Sequence, residues 1–435
     1  MKLKGIKKWK QAKKIIPGGN MFLSKRPELF LPDVWPTYYK KAKGCNIWDL
    51  EKKKFIDVST MGVGTNILGY SRNEVDNAVI NKIKNGSISS LNSVEEIDLA
   101  KQLISLHPWA DQAKFARTGG DANTIAIRLA RSFTNKENIA LCGYHGWQDW
   151  YQAANIKNIN SLKSHLFGNI QTSGVSKKLN NTVFPFLYNN FFQLEKIVRK
   201  KNIAAVIMEV ERNIKPEKDF LYKVKDLCKR KNIVLIFDEC TSGFREEFGG
   251  LHKKYKITPD ICTFGKALGN GYPITAIIGK AKILSKSKNS FISSTFWSEG
   301  LGPVAALATL KIMKKEKSWQ KVTFLGKMVK SIWRELGKKY ELNININGID
   351  ALPNFYIHSE KFLKYKTLIS QEMLKYNFLC SNAVYLSTAH DEKILQNYRS
   401  KLDLVFNIIK KCEDGDKIDK YLKSRECMIS FKRIN

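Results

Sequence analysis

The chain has 435 residues, 43% of them hydrophobic, enough to bury a large core and to divide into a major and a minor domain. Lys and Arg number 74 against 40 Asp and Glu, a formal charge of +34. That excess lies in scattered Lys-Lys pairs with no RNA- or DNA-binding motif beside it, so a dedicated nucleic-acid surface is not expected, and no apolar run approaches the ~20 residues a membrane span needs.

Residues 3–16 read as a helix that Pro17-Gly18-Gly19 stops. The N-terminus is basic but lacks the apolar core of a secretory signal. Residues 44–49 and 54–58 look like a hairpin of two short strands, and a helix is expected over 73–85. Ser93 with Glu96 three residues later reads as a capping box ahead of Ile97, Leu99 and Leu103.

The block Phe115-Ala116-Arg117-Thr118-Gly119-Gly120-Asp121-Ala122-Asn123 is a short strand running through two glycines into a helix. Glycines at a helix start let backbone N–H groups close on a phosphate, where the helix dipole also helps. Ile139-Ala140-Leu141-Cys142 is a further core strand, ending in Gly143-Tyr144-His145-Gly146. The polar stretch 150–181 suits a mobile loop over an active site. Residues 203–209 form a core strand that ends in the carboxylate of Glu209, with Asn213 shortly after.

The most informative stretch is 233–273. The apolar run Ile233-Val234-Leu235-Ile236-Phe237 is too short for a helix and reads as a strand buried on both faces, delivering Asp238 and Glu239 at its end. A second run, Ile261-Cys262-Thr263-Phe264, delivers Gly265-Lys266, with Gly269, Gly271 and Pro273 behind it. In α/β sheets ligands sit beyond the carboxyl ends of the strands. A lysine held there can form a Schiff base with an aldehyde cofactor, and a buried carboxylate can keep the cofactor's pyridine nitrogen protonated. Taken singly, Asp238 reads as a turn cap and Lys266 as one more surface lysine; together they ask for that chemistry. Further on, Thr295 precedes a long helix over 302–314, residues 353–357 read as a strand, and a helix is expected to start at Asp391 after Phe378-Leu379-Cys380-Ser381 and Leu386-Ser387-Thr388-Ala389-His390. The eight cysteines show no C-x-x-C and no regular framework, which fits a reduced, cytoplasmic compartment.

These blocks resemble the class III pyridoxal-phosphate aminotransferases, most closely their glutamate-1-semialdehyde aminomutase branch. Asp238-Glu239-Cys240-Thr241-Ser242-Gly243-Phe244-Arg245 resembles that branch's D-E-x-x-T/S-G-F-R block; Pro259-Asp260 through Lys266 and Gly271-Tyr272-Pro273 resembles its lysine block. The likeness runs from about Pro17 to His390. It implies pyridoxal 5'-phosphate as cofactor and an α/β fold, the PLP-dependent transferase fold type I. That fold has a large domain with a mostly parallel seven-stranded sheet (61–310) and a smaller α+β domain built from 1–60 and 311–435. It implies that Lys266 and Asp238 are catalytic, that Gly119 and Gly120 cradle the phosphate, and that Tyr144 stacks on the ring with His145 in support. Gly120 replaces a hydroxyl residue of the family's phosphate cup and Asp121 a glutamate. Thr295 matches a threonine that reaches across a homodimer to the partner's phosphate. Glu209 and Asn213 fall near the cofactor, with Asn213 one residue short of the family spacing, and the substrate-binding arginine of the branch has Lys25 and Arg26 as its nearest counterparts. Gly62-Val63-Gly64 lies where the family's substrate-side loop falls. No metal is implied.

The expected activity is transfer of an amino group between an amine and a carbonyl acceptor (keto acid, aldehyde or keto sugar) through Lys266. The alternatives are intramolecular transfer, as in glutamate-1-semialdehyde aminomutase, and a catalytically inactive basic binding protein on the same scaffold.

Overall fold

The computed structural model describes residues 4–165 and 170–429. Internal contacts divide the chain into two units: one runs to Arg72 and resumes at Gln320, the other is Asn73–Trp319.

The first unit opens with the helix Lys4–Ile15, which ends just before Pro17-Gly18-Gly19. Strands β1 (Tyr39–Lys43), β2 (Asn46–Asp49) and β3 (Lys54–Asp57) then form an antiparallel meander. The expected hairpin is present, but β1, with its sequence Tyr-Lys-Lys-Ala-Lys, was not expected. An edge strand whose side chains are nearly all exposed carries no apolar alternation to betray it.

The second unit holds β4 (Gln112–Ala116), β5 (Asn138–Cys142), β6 (Val183–Pro185), β7 (Ile203–Met208), β8 (Val234–Glu239), β9 (Ile261–Phe264) and β10 (Thr275–Gly279) in one seven-stranded sheet. Their order is β4-β10-β9-β8-β7-β5-β6. The pairs from β9 through β8, β7 and β5 to β6 are parallel, and β10 lies antiparallel to both β4 and β9. Every residue of β7, β8, β9 and β10 is buried. This explains why β7, β8 and β9 read as short continuous apolar runs. Their common direction brings the ends of β5, β7, β8 and β9 to one edge of the sheet, and the register pairs Asp238 with Thr263. The helix Gly119–Thr134 packs Ile125, Ala126, Ile127 and Leu129 into the core against Ile139, Ile207 and Ile236.

Two local expectations are corrected. Ser93 and Glu96 form no capping box: the helix starts at Glu95 with Val94 in the cap position, and the Ser93 hydroxyl donates to the Glu95 carboxylate instead. The stretch 150–181 is not a loop throughout. It begins inside the short helix Asp149–Gln152, and Trp150, Tyr151 and Leu162 are buried in the core cluster; residues 166–169 lie outside those described.

Back in the first unit, β11 (Ile344–Asn347) and β12 (Asn354–Ile357) form a hairpin, and β13 (Phe378–Leu379) runs parallel to β3. The helix Glu392–Glu413 is capped by the Asp391 carboxylate, which accepts from Ile394 N–H at 2.7 Å. All eight cysteines are free and buried. Among the described residues no helix is long and apolar enough to cross a membrane.

Candidate active site

The two-residue period of a strand sends Asp238 and Glu239, the last residues of β8, to opposite faces of the sheet. Asp238 is buried among donors. Its Oδ2 accepts from Asn123 Nδ2 and from His145 Nδ1, each at 2.8 Å, and its Oδ1 accepts from Cys240 N–H at 3.0 Å and, more weakly, from the Thr263 hydroxyl at 3.4 Å. Burial opposes ionisation of this carboxyl. The hydrogen bond and charge of His145, with the Cys240 N–H and Asn123, outweigh it and pull the group down to about 2. His145 places its other ring nitrogen 3.1 Å from the Cys142 carbonyl. Thr263 also donates to Asn123 Oδ1 at 2.9 Å, so Asn123, Asp238, Thr263 and His145 form one connected network.

Lys266 follows β9 in the left-handed region, with φ of 40°. Its Nζ donates to Thr241 Oγ1 at 2.5 Å, three residues beyond Asp238. Between the two sits Cys240. Its sulfur would lie 3.3 Å from a Cβ on Gly119 and 3.5 Å from one on Gly265. Lack of a side chain at both positions is what lets the helix start, the loop after β8 and the lysine loop converge. Phe244, fully buried, is also left-handed at φ of 63°. Non-glycine residues held in this region store strain, and such residues cluster at functional sites.

The helix Gly119–Thr134 is capped by Thr118, whose hydroxyl accepts from Asp121 N–H at 3.2 Å. The N–H groups of Gly119 and Gly120 are the first helical donors and have no intrahelical partner. With the dipole of a 16-residue helix behind them they could receive an anion such as a phosphate.

The other expected residues are distributed as follows. Tyr144 is half-buried at the end of β5, its ring edge-on to Tyr151 with centroids 5.8 Å apart. Glu209 is buried just after β7, its Oε2 3.0 Å from where a Cβ on Gly143 would lie. Asn213 is half-buried in the bend that follows. Thr295 is exposed, opening the short turn Thr295–Ser298. That turn is tied to β4 by Arg117, which donates to the carbonyls of Trp297 and Glu299 and pairs with the Glu299 carboxylate at 2.8 Å. Lys25 and Arg26 belong to the other unit. Lys25 ends the short turn Leu23–Lys25, and the Arg26 guanidinium lies against Gly18.

Sequence reasoning missed Asn123, Thr241 and Thr263. Asn123 and Thr263 are polar residues inside or beside an apolar run, and a buried polar group asks for a partner; Thr241 lies in the polar loop after β8, where no such signal marks it. The Glu239, His252 and Cys262 ligand atoms lie within 4.8 Å of one another. Glu239, however, already accepts from the N–H groups of Leu251 and His252, from His252 Nδ1 and from the Ser242 hydroxyl, so its oxygens are filled by donors.

A strand-end lysine, an ionised buried carboxylate and a glycine-lined helix N-terminus suit a phosphorylated, aldehyde-bearing pyridine. Comparison with known proteins agrees. The family model for class III aminotransferases matches residues 32–369. A 3-aminobutyryl-CoA aminotransferase of Cloacimonas acidaminovorans is 32% identical over 413 residues, covering 92% of this chain and 94% of that one. A glutamate-1-semialdehyde 2,1-aminomutase of Nitrosopumilus maritimus is 31% identical over 431 residues, covering 93% and 99%. Among solved structures, the PLP internal aldimine form of the Sphingopyxis sp. MTA144 FumI protein superimposes with a TM-score of 0.84 at 22% identity, over 96% of this chain and 99% of that one.

Proposed function

This chain belongs to the class III aminotransferases, and from that premise we propose that it moves an amino group from an amine donor to the carbonyl of a second molecule, with Lys266 and Asp238 as its catalytic pair. The cofactor is pyridoxal phosphate. It supplies an aldehyde that an amine can capture and a pyridine ring that drains electrons from the substrate carbon.

The chain's own groups then have distinct tasks. The Lys266 amine holds the cofactor in the resting enzyme. Once displaced, it takes the proton from the donor's amine-bearing carbon and returns it during transfer. Asp238 offers an ionised carboxylate to a protonated ring nitrogen, and its value near 2 keeps it charged through the working pH range. Asn123, His145 and Thr263 hold that carboxylate in place and in charge. Gly119 and Gly120 receive the phosphate on their N–H groups, and Tyr144 covers one ring face. Thr295, exposed on this chain, is proposed to reach the phosphate of a partner copy in a homodimer.

One observation carries the reading: the Lys266 amine and the Asp238 carboxylate are joined through Thr241 and Cys240 of a single buried loop. The test is a screen of amines and carbonyl acceptors, including amino acids, ω-amines, amino sugars and β-aminoacyl-CoA thioesters, that follows conversion of the bound cofactor. Turnover of some donor–acceptor pair is expected, and it should vanish in Lys266→Ala. The aminomutase relative supports a second reading, transfer within one molecule. Formation of the porphyrin precursor from glutamate-1-semialdehyde, with no separate acceptor, would select that reading.

A further inference from the structure

At the phosphate end of the site one side chain has no role so far. A Cβ on Gly120 would lie 2.2 Å from Nε2 and 2.5 Å from Oε1 of Gln148. The Gln148 amide therefore occupies the volume a side chain at position 120 would take, directly on the first turn of the helix Gly119–Thr134. A Cβ on Gly146 would fall 2.4 Å from the same Oε1 and 2.9 Å from Gly120 Cα. Glycine at 120 and at 146 is what lets the amide settle there. Its orientation is set by the chain: Trp147 N–H donates to Oε1 at 3.1 Å, which turns Nε2 the other way as a donor. Among the described residues Nε2 has no acceptor. Beside it opens a cavity of about 300 Å³, lined by Asp121, Thr124, Arg128, Phe291 and Trp297 as well as Gln148.

We propose that Gln148 is a phosphate-binding residue whose Nε2 donates to the cofactor's phosphate, supplying the side-chain hydrogen bond that Gly120 cannot. The two backbone donors of the helix start and this amide then act on one anion. Position 120 gives up its side chain, and position 148 fills the space with a donor of its own. The inference rests on the pyridoxal phosphate reading of the site and goes beyond it by naming which side chain recognises the phosphate.

The apoenzyme is titrated with pyridoxal phosphate and, separately, with pyridoxal, which lacks the phosphate. Gln148→Ala is expected to weaken pyridoxal phosphate about tenfold, the worth of one hydrogen bond to a charged group, and to leave pyridoxal unchanged. Gln148→Glu keeps the size but sets a carboxylate against the phosphate, and should cost roughly a hundredfold for the phosphorylated ligand alone. Gly120→Ser displaces the flexible amide and brings a hydroxyl to the same place, so Gln148→Ala should cost almost nothing in that background. Equal losses for both ligands, no loss in either Gln148 variant, or the same loss in both backgrounds would each overturn the proposal. Wild-type protein that bound no pyridoxal phosphate would defeat the underlying site reading instead.

Discussion

Asp238 and Glu239 are adjacent carboxylates at the end of one strand, both buried and both held ionised against the pull of burial, yet they do different work. Asp238 faces Asn123, His145 and Thr263, at the sheet edge where Lys266 emerges. Glu239 faces the other way, ties down the turn at Leu251–Lys254 through Leu251 and His252, and accepts from the Ser242 hydroxyl. His252 is locked in turn by Trp109, whose indole N–H donates to its Nε2 at 3.2 Å. Chemistry and burial are nearly the same for the pair. On the proposed reading, the side of the sheet decides which serves the reaction and which serves the fold.

The largest effect is expected from Lys266→Ala. It should lower kcat about 10⁴-fold, the range expected when a positioned proton carrier is lost, while thermal unfolding of the protein stays near wild type. Asp238→Asn comes next, with a loss of roughly 10²–10³ in kcat, as for removal of an electrostatic stabiliser. Glu239→Gln should do the reverse. It leaves kcat of the folded fraction near wild type but costs about 3 kcal/mol in urea unfolding, because an amide N–H would then face N–H donors. If Glu239→Gln matched Asp238→Asn in kcat, the division between the two faces would be broken.

The acid limb of stability separates the groups again. Burial, above all, lowers His107 and His165 to about 4, so the unfolded chain binds more protons than the native one between about pH 6.5 and 4. Stability should fall as pH drops through that window. Asp238 acts lower. Its contribution, about 2 kcal/mol, is present above about pH 4 and lost as pH falls towards 2. Urea unfolding against pH should show both steps in the wild type and a smaller lower step in Asp238→Asn, where Glu239 still contributes. The smallest effect is expected from Thr241→Val, which removes the acceptor of the Lys266 amine and should lower kcat by about tenfold or less.

The strands β7, β8 and β9, and with them the placement of Asp238 and Lys266 at strand ends, were legible in the sequence for one physical reason. Strands buried on both faces must be short apolar runs, but a charge at the end of such a run does not declare its work: Glu239 ends the same run as Asp238 and ties down Leu251 and His252. The same logic hid the rest. Asn123 and Thr263 sit inside apolar patterns, where a single polar residue does not change the period. β1 is polar because it is an exposed edge. The position of β10 between β4 and β9 is a pairing across more than 100 residues, which local pattern does not carry. Ser93 carried the spacing of a cap, but the helix began one turn position later and the hydroxyl found Glu95 first.

One lysine, in a chain where Lys and Arg together number 74, is proposed to hold the cofactor. Borohydride reduction of the pyridoxal-phosphate-loaded protein, followed by peptide mapping, tests it directly. The account predicts a single phosphopyridoxyl label on the peptide that contains Lys266, absent from Lys266→Ala. A label on any other lysine of the wild type, or an unchanged label in the variant, would contradict it.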